Sequence, residues 1–405
     1  MTAVRARALA MVAAIADRLA DPAAVPPGPG RRRGQSLAGG AAGIALLHIE
    51  RARTGHGDWS TAQAWLREAT AEPISAGPNA TLYFGAPALA FVTHTAVNRP
   101  GQLRDALATL DAATVAITRR RLTAAHARLR AAGRPPLAEF DLIRGLAGLG
   151  SYHLRRGHPI TVDILAYLTQ LTEPQPDGLP GWWTDVDPSG APSTDYPTGH
   201  GNAGMSHGIA APLALLATAV LHNIEVDGQL AAIERICAWL DQCQQASPSD
   251  AWWPGIVTEP QARPGETQTA SRRPPSWCYG LPGIARAYQL AALATGDTAR
   301  RHTAETALLT CLRDSNQLDL LTEPGLCHGL AGLIQTAHRA AADATTPELA
   351  AELPGLVERL LARLPTQLAA DPELLDGLAG AALALHTAAT NTSPATGWDA
   401  ALLLT

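Results

Sequence analysis

The 405-residue sequence contains no lysine, only three phenylalanines, and no apolar run of the ~20 residues that a membrane-spanning helix needs. We therefore expect no integral membrane segment. The net charge of −5 argues against binding to a nucleic-acid backbone, although the basic residues are all arginine. Because aromatic residues make up only 4% of the chain, its core must consist mainly of leucine, alanine, valine and isoleucine. This composition favours closely packed helices.

Cysteine is also scarce, and five cysteines in a chain of this length do not indicate a disulfide scaffold. Arg5 and Arg7 precede an apolar stretch at 8–16, which is the arrangement of a short signal peptide. However, the helical stripe of apolar residues continues past Asp17 and Arg18. An ordinary helix is the favoured interpretation, and we expect a cytoplasmic protein.

A small-residue motif, G-x-x-G/A followed by an apolar helical pattern, recurs seven times. The copies begin at Gly40, Gly85, Gly145, Gly208, Gly280, Gly329 and Gly377. A second helical segment precedes each copy, at 3–20, 60–72, 103–132, 161–171, 229–244, 297–313 and 347–364. Because strand signals are few, the pattern predicts an all-α fold. Glycine at a helix start permits close approach of a neighbour, so we expect the seven inner helices to pack around one axis.

Two segments interrupt the repeat, 173–205 and 245–276, and both are rich in proline, glycine, serine and threonine. Irregular segments of about thirty residues are uncommon in compact domains and usually form lids or binding loops. Each segment contains a tryptophan pair, Trp182–Trp183 and Trp252–Trp253. These pairs either line a groove for an extended peptide or close the end of the helical array.

Alignment of the seven copies on their first glycine brings two cysteines to the same position. Cys278 lies two residues before Gly280, Cys327 lies two residues before Gly329, and His328 follows. If these copies are neighbours, two thiols and an imidazole converge. Two cysteines and one histidine without a fourth protein ligand are typical of a catalytic zinc site, and thiolates favour zinc over magnesium or calcium. Packing is assigned to the remaining cysteines, Cys237, Cys243 and Cys311.

Three blocks of the sequence read YPTGHGNAGMSHGIAAPLALL, SWCYGLPGIARA and CHGLAGLI. They resemble the signature blocks of the lanthipeptide (lantibiotic) cyclases, the LanC family, and the resemblance extends over a single domain of residues 1–405. It implies an α/α toroid with seven inner and seven outer helices, and a zinc ion held by Cys278, Cys327 and His328. It also implies a free-standing cyclase without a fused dehydratase.

The activity that the resemblance implies is the closure of thioether rings. A cysteine thiol of a precursor peptide adds to a dehydroalanine or dehydrobutyrine of the same peptide, which forms lanthionine or methyllanthionine. The implied partners are the dehydrated precursor peptide and a separate dehydratase, because the electrophile must be made first.

The resemblance also assigns catalytic candidates. His207 matches the family histidine that protonates the α-carbon, and Asp141 matches an acid that orients this histidine or helps to remove the thiol proton. Tyr279 matches a site tyrosine that could donate to the enolate oxygen. Family members often carry an arginine four residues before the W-C-Y-G cysteine, where this chain has Pro274, and Arg273 is the candidate replacement.

Two other functions remain open from the sequence. One is another zinc enzyme that activates thiols on a helical toroid, such as a prenyltransferase subunit, although such sites usually include a carboxylate ligand. The other is a non-catalytic peptide-binding toroid that keeps zinc for structure, against which the presence of both His207 and Asp141 speaks. The precursor, the ring pattern, the oligomeric state and the role of His200 are not determined.

Overall fold

The computed structural model describes residues 2–25, 34–245, 251–262, 272–367 and 371–405. These residues form seventeen α-helices and two short strands. The chain divides into two compact units, of which the first comprises Met1–Ile117 with Asp319–Ala400 and the second Thr118–Leu318 with Ala401–Thr405. Within the described residues, every helix is too short or too polar to cross a membrane.

Each of the seven glycine motifs begins a helix, as predicted. These inner helices are α2 (Ala41–Arg53), α4 (Ala86–Ala96), α7 (Leu146–Arg156), α9 (Ala210–Leu221), α12 (Leu281–Thr295), α15 (Leu330–Ala342) and α17 (Leu378–Thr390). Most of their residues are buried on all sides, as in α9, where 210–219 are all buried. A helix that is apolar around its whole circumference belongs in a core.

A second helix precedes each inner helix. These helices are α1 (Thr2–Arg18), α3 (Trp59–Ala69), α5 (Arg104–Arg130), α8 (Ile160–Leu171), α10 (Gln229–Cys243), α13 (Thr298–Arg313) and α16 (Glu348–Gln367). They agree with the predicted segments to within one turn. In α3 the buried residues are Ala62, Trp65 and Ala69, which repeat at helical spacing along one face. The remaining helices are short: α6 (Leu137–Phe140), α11 (Glu259–Ala262) and α14 (Ser315–Asp319).

Successive inner helices pack against one another inside each unit. In the first unit α15 contacts α17, α17 contacts α2, and α2 contacts α4. In the second unit α7 contacts α9, and α9 contacts α12. The outer helices lie against them, as α3 does against α2 and α13 against α12. Neighbouring copies of the motif are therefore neighbours within each unit.

The motif glycines are required by the turn that precedes each inner helix. A Cβ atom on Gly280 would lie 2.3 Å from the backbone nitrogen of Ser276, and one on Gly283 would lie 2.0 Å from the carbonyl oxygen of Trp277. Distances this short exclude any side chain. The close neighbour of these glycines is thus the preceding turn of the chain itself, which folds back over the start of α12 and carries Cys278.

The two irregular segments are joined by a small sheet. Strand β1 (His200–Asn202) pairs antiparallel with β2 (Ile256–Thr258), and His200 lies opposite Thr258. Of the second segment, 246–250 and 263–271 lie outside the described residues.

Three of the four tryptophans of these segments are buried in the second unit, and Trp252 is half-buried. Trp182, Trp183 and Trp253 are each at most 2% exposed. The indole of Trp183 donates to the carbonyl of Thr198, and that of Trp253 to the carbonyl of Leu240. These three rings anchor the segments, so an exposed aromatic groove is not built from them.

Candidate active site and metal ligands

Asp141 follows α6 and lies four residues before Gly145, the residue that caps α7. Its side chain is fully buried. One carboxylate oxygen, Oδ1, accepts hydrogen bonds from the backbone N–H groups of Arg144 (2.6 Å) and Gly145 (2.7 Å). The amino end of a helix carries partial positive charge, so it stabilises a carboxylate there. The other oxygen, Oδ2, lies 2.6 Å from Nδ1 of His207.

His207 lies in the turn before α9, and its side chain is 17% exposed. The contact with Asp141 places the ring proton on Nδ1 and leaves Nε2 to face away from the carboxylate. A histidine held in this way by a buried carboxylate can take up and release a proton at Nε2, because the carboxylate stabilises the imidazolium. This pair is suited to acid–base chemistry.

Tyr279 lies beside this pair, with its ring centroid 6.2 Å from that of His207. Its hydroxyl is buried and lies near the side chains of Asn202 and Ser206, but it makes no hydrogen bond of ordinary length among the described residues. Burial raises the pKa of Tyr279 to about 12, so its hydroxyl is protonated and available as a donor at neutral pH. The guanidinium carbon of Arg273 lies 5.8 Å from the centroid of the same ring, at cation–π distance. Arg272 instead lies 4.0 Å from Asp314.

Cys278 occupies the turn before α12 and is buried. Its Sγ lies 3.5 Å from the hydroxyl oxygen of Ser276. Its carbonyl oxygen accepts hydrogen bonds from the backbone N–H and the hydroxyl of Ser206, the residue before His207. The turns that carry Cys278, Tyr279 and His207 are therefore tied together inside the second unit.

Cys327 and His328 lie in the equivalent turn before α15, in the first unit. The backbone N–H of Cys327 donates to the carbonyl of Leu375 at 2.8 Å. The side chain of His328 is 51% exposed, and its Nδ1 lies 3.5 Å from Oδ1 of Asp376. Sequence reasoning gave Asp376 no role, although it stands directly before Gly377 as His328 stands before Gly329. Carboxylates commonly orient a metal-binding histidine through its second nitrogen.

Among the described residues, the second unit offers Cys278 as a candidate metal ligand, and the first unit offers Cys327 and His328. Two thiols and one imidazole suit zinc, whereas magnesium and calcium prefer oxygen ligands. Three protein ligands also leave one position of a tetrahedral zinc ion for water or substrate. The donor chemistry therefore fits the zinc ion that the sequence predicts.

A family model described as lanthionine synthetase C-like protein matches residues 32–403. The chain belongs to this family. The LanC resemblance read from the signature blocks is thereby confirmed.

Two relatives of this LanC-like chain extend the comparison. Nisin biosynthesis protein NisC of Lactococcus lactis subsp. lactis is 27% identical over 208 residues, and the match spans 50% of this chain but only 48% of that protein. A solved structure of nisin cyclase matches with a TM-score of 0.78 and 19% identity, and covers 100% of this chain and 98% of the other. At 19% identity the match to nisin cyclase shows the fold alone, and it confirms the predicted all-α, α/α toroid class.

The remaining cysteines of this LanC-like protein lie on outer helices, as predicted. Cys237 and Cys243 are buried on α10, and Cys311 is buried on α13. Burial raises the pKa of each of these thiols to about 12, so they stay protonated and unreactive. All five cysteines are among the described residues, and no disulfide bond joins any of them.

His200 is the residue whose role the sequence left open. It lies on β1 and is 1% exposed, and its ring packs against that of Tyr196 at a centroid distance of 4.9 Å. Burial lowers the pKa of His200, so the ring is neutral at physiological pH. At the other end of the same strand lies Asn202, which belongs to the N-x-G-x-x-H-G block but was assigned no function.

Proposed function

We propose that this protein is a zinc-dependent lanthipeptide cyclase that closes thioether rings in a dehydrated precursor peptide. The observation that carries the proposal is the 2.6 Å contact between Asp141 and His207 beside Tyr279 and Cys278, in a chain of the LanC-like family. Ring closure joins the sulfur of a substrate cysteine to the β-carbon of dehydroalanine or dehydrobutyrine. A proton is added at the α-carbon.

The proposed zinc ligands are Cys278, Cys327 and His328. A free thiol has a pKa of ~8.5 and is mostly protonated at neutral pH. A zinc ion held by these residues would favour the thiolate form of a substrate cysteine and so would supply the nucleophile. Ser276 and Ser206 hold the turn of Cys278, and Asp376 lies next to His328. These contacts of the ligand residues support the proposal.

His207 is the proposed general acid. As the new C–S bond forms, the electrons of the double bond move towards the carbonyl oxygen, and the resulting enolate takes a proton at its α-carbon. Nε2 of His207 donates this proton, while Asp141 stabilises the imidazolium form. General acid catalysis of this kind contributes roughly 10²–10⁴ in rate. The thiol loses one proton and the α-carbon gains one, so the mass of the peptide is unchanged.

Tyr279 and Arg273 are proposed to stabilise the enolate. The buried hydroxyl of Tyr279 is protonated at neutral pH and can donate a hydrogen bond to the enolate oxygen. Arg273 lies over the tyrosine ring and adds a positive charge close to it. It stands one residue before the place where the family commonly has its arginine.

The proposal also names partners and a location. A separate dehydratase must first convert serine or threonine residues of the precursor into the electrophiles. The segments 173–205 and 245–276 are candidate lids over the bound peptide. The ligand and substrate cysteines have to stay reduced, and the cytoplasm keeps thiols reduced. We therefore assign the cytoplasm as the location.

The decisive experiment incubates the purified protein with a dehydrated precursor peptide, alkylates the remaining thiols and measures the products by mass spectrometry. Ring closure adds no mass, so it appears as cysteines that no longer react with the alkylating reagent. The same precursor without dehydration is the control, and its cysteines should all be alkylated. Full alkylation of the dehydrated peptide would contradict the proposal, and retention of zinc in that case would favour a non-catalytic peptide-binding protein.

A further inference from the structure

Asn202 is a buried polar residue that the proposed mechanism does not yet use. It is 1% exposed and ends strand β1. Its side-chain oxygen Oδ1 accepts the backbone N–H of Gly204 at 3.0 Å, which identifies the oxygen and turns the amide nitrogen the other way. That nitrogen, Nδ2, has no hydrogen-bond partner among the described residues.

Asn202 lies against the two turns that carry His207 and Tyr279. Its carbonyl oxygen accepts the backbone N–H of Ile209 at 2.8 Å, two residues after His207. A Cβ atom built on Gly204 would lie 3.2 Å from Oδ1 of Asn202 and 2.8 Å from Cδ1 of Tyr279. Both side chains therefore border the same glycine.

Two buried donors lie close together in this place, since the side chain of Asn202 is within reach of the hydroxyl of Tyr279. Neither the amide N–H nor the hydroxyl makes a hydrogen bond of ordinary length among the described residues. A buried donor that lacks an acceptor costs about 1–3 kcal/mol, so proteins rarely keep two of them side by side. Pairs of preorganised donors occur where an oxygen gains negative charge during a reaction. An enolate oxygen is such an acceptor.

We propose that Asn202 and Tyr279 together form a two-donor site for the carbonyl oxygen of the dehydroalanine or dehydrobutyrine residue under attack. This inference rests on the proposed cyclase function. When the sulfur bonds to the β-carbon, the double bond to the α-carbon is lost and its electron pair delocalises onto this oxygen. The two donors hold that charge until His207 delivers the proton to the α-carbon and the carbonyl is restored.

The test uses the full-length, zinc-loaded protein and a synthetic peptide with one dehydroalanine and one cysteine. Asn202→Asp keeps the oxygen that accepts from Gly204 but replaces the donor. We expect kcat for ring closure to fall by roughly 10²–10³, as for loss of one donor from an oxyanion site, with KM, zinc content and melting temperature unchanged. Asn316→Asp makes the same chemical change at an exposed position and should leave kcat unchanged.

Two further variants separate catalysis from structure. Asn202→Ala removes donor and acceptor, and its kcat, measured per folded zinc-loaded molecule, should fall as far as that of Asn202→Asp even if its melting temperature drops. If both residues donate to one oxygen, the double variant with Asn202→Asp and Tyr279→Phe should have a lower kcat for ring closure than Tyr279→Phe alone. If the two variants have the same kcat, Asn202 only positions Tyr279, and the proposal of a two-donor site is wrong.

The outcomes distinguish this inference from the function on which it rests. Ring closure by the wild-type protein together with less than about a threefold change in kcat for Asn202→Asp overturns the inference alone. Absence of ring closure by the wild-type protein overturns the cyclase function, and the inference falls with it.

Discussion

Asp141 and Asp399 are both fully buried, and each accepts hydrogen bonds from residues of its own unit. The carboxylate of Asp399 accepts from Nε and Nη2 of Arg339 at 2.6 and 2.7 Å, and from Gln335 at 2.7 Å. That of Asp141 accepts from two backbone N–H groups and lies against His207. The two carboxylates differ mainly in the side chain that faces them.

Arginine remains charged at any physiological pH, whereas histidine gains and loses its proton near neutrality. The pair of Asp399 and Arg339 therefore stabilises one packing arrangement, and the pair of Asp141 and His207 can move a proton. A buried carboxylate that binds a permanent charge stabilises packing, and one that binds a histidine can take part in proton transfer.

The largest expected effect concerns the metal ligands. Cys278→Ala and Cys327→Ala should each lower the zinc content from about one ion per chain to near zero, because a catalytic zinc site has only three protein ligands. Ring closure should be lost with the metal. Metal analysis by mass spectrometry measures the change, and Cys311→Ala, a buried cysteine on α13, should retain zinc. Full zinc content in both ligand variants would remove the assignment.

His207→Asn tests the chemical side of the comparison. We expect ring closure to slow by roughly 10²–10⁴, because Nε2 can no longer deliver a proton, while zinc content and melting temperature stay the same. Rates are followed by thiol alkylation and mass spectrometry. His302→Asn changes an exposed histidine on α13 and serves as the control. An unchanged rate for His207→Asn would exclude this residue as the acid.

Asp399→Asn tests the scaffold side. Removing one partner of a buried ion pair leaves Arg339 without its counter-charge and costs about 3–5 kcal/mol in the free energy of unfolding. Denaturant unfolding measures this loss, and the kcat of the folded protein should not change. Asp319→Asn breaks a more exposed pair with Arg359 and should alter stability by less than about 1 kcal/mol. If Asp399→Asn lowered kcat for ring closure but left the free energy of unfolding unchanged, the distinction between the two carboxylates would be wrong.

The smallest expected effect is the pH dependence of stability that comes from His48, a buried histidine outside the candidate active site. Burial lowers the pKa of His48 from 6.5 to about 4, and its Nε2 donates to the carbonyl of Leu19. The unfolded chain therefore binds this proton first, and stability falls as pH decreases from about 6.5 to 4, by roughly 3 kcal/mol. Urea unfolding across this range should show a flatter dependence for His48→Gln. If the free energy of unfolding depended on pH with the same slope in wild type and His48→Gln, the lowered pKa of His48 would be contradicted.

The helices were largely predictable, since periodic apolar residues and glycine turns act over short distances along the chain. The equivalent positions of Cys278 and Cys327 were predictable for the same reason, because each lies in a turn that ends at the glycine before a helix. The tryptophans of 173–205 left two interpretations, because a tryptophan can face a groove or a core with the same sequence around it. Their burial in the second unit could be found only in three dimensions.

The sequence by itself determined where the helices of this protein begin and which turns carry thiol and imidazole groups, because glycine contacts and helical periods are local. Tertiary structure decided which groups meet across long separations. It brought Asp141 to His207 over 66 residues, placed Arg273 rather than Arg272 over Tyr279, and left Asn202 with a donor but no acceptor. Such contacts depend on the packing of distant elements, which no local pattern in the chain encodes.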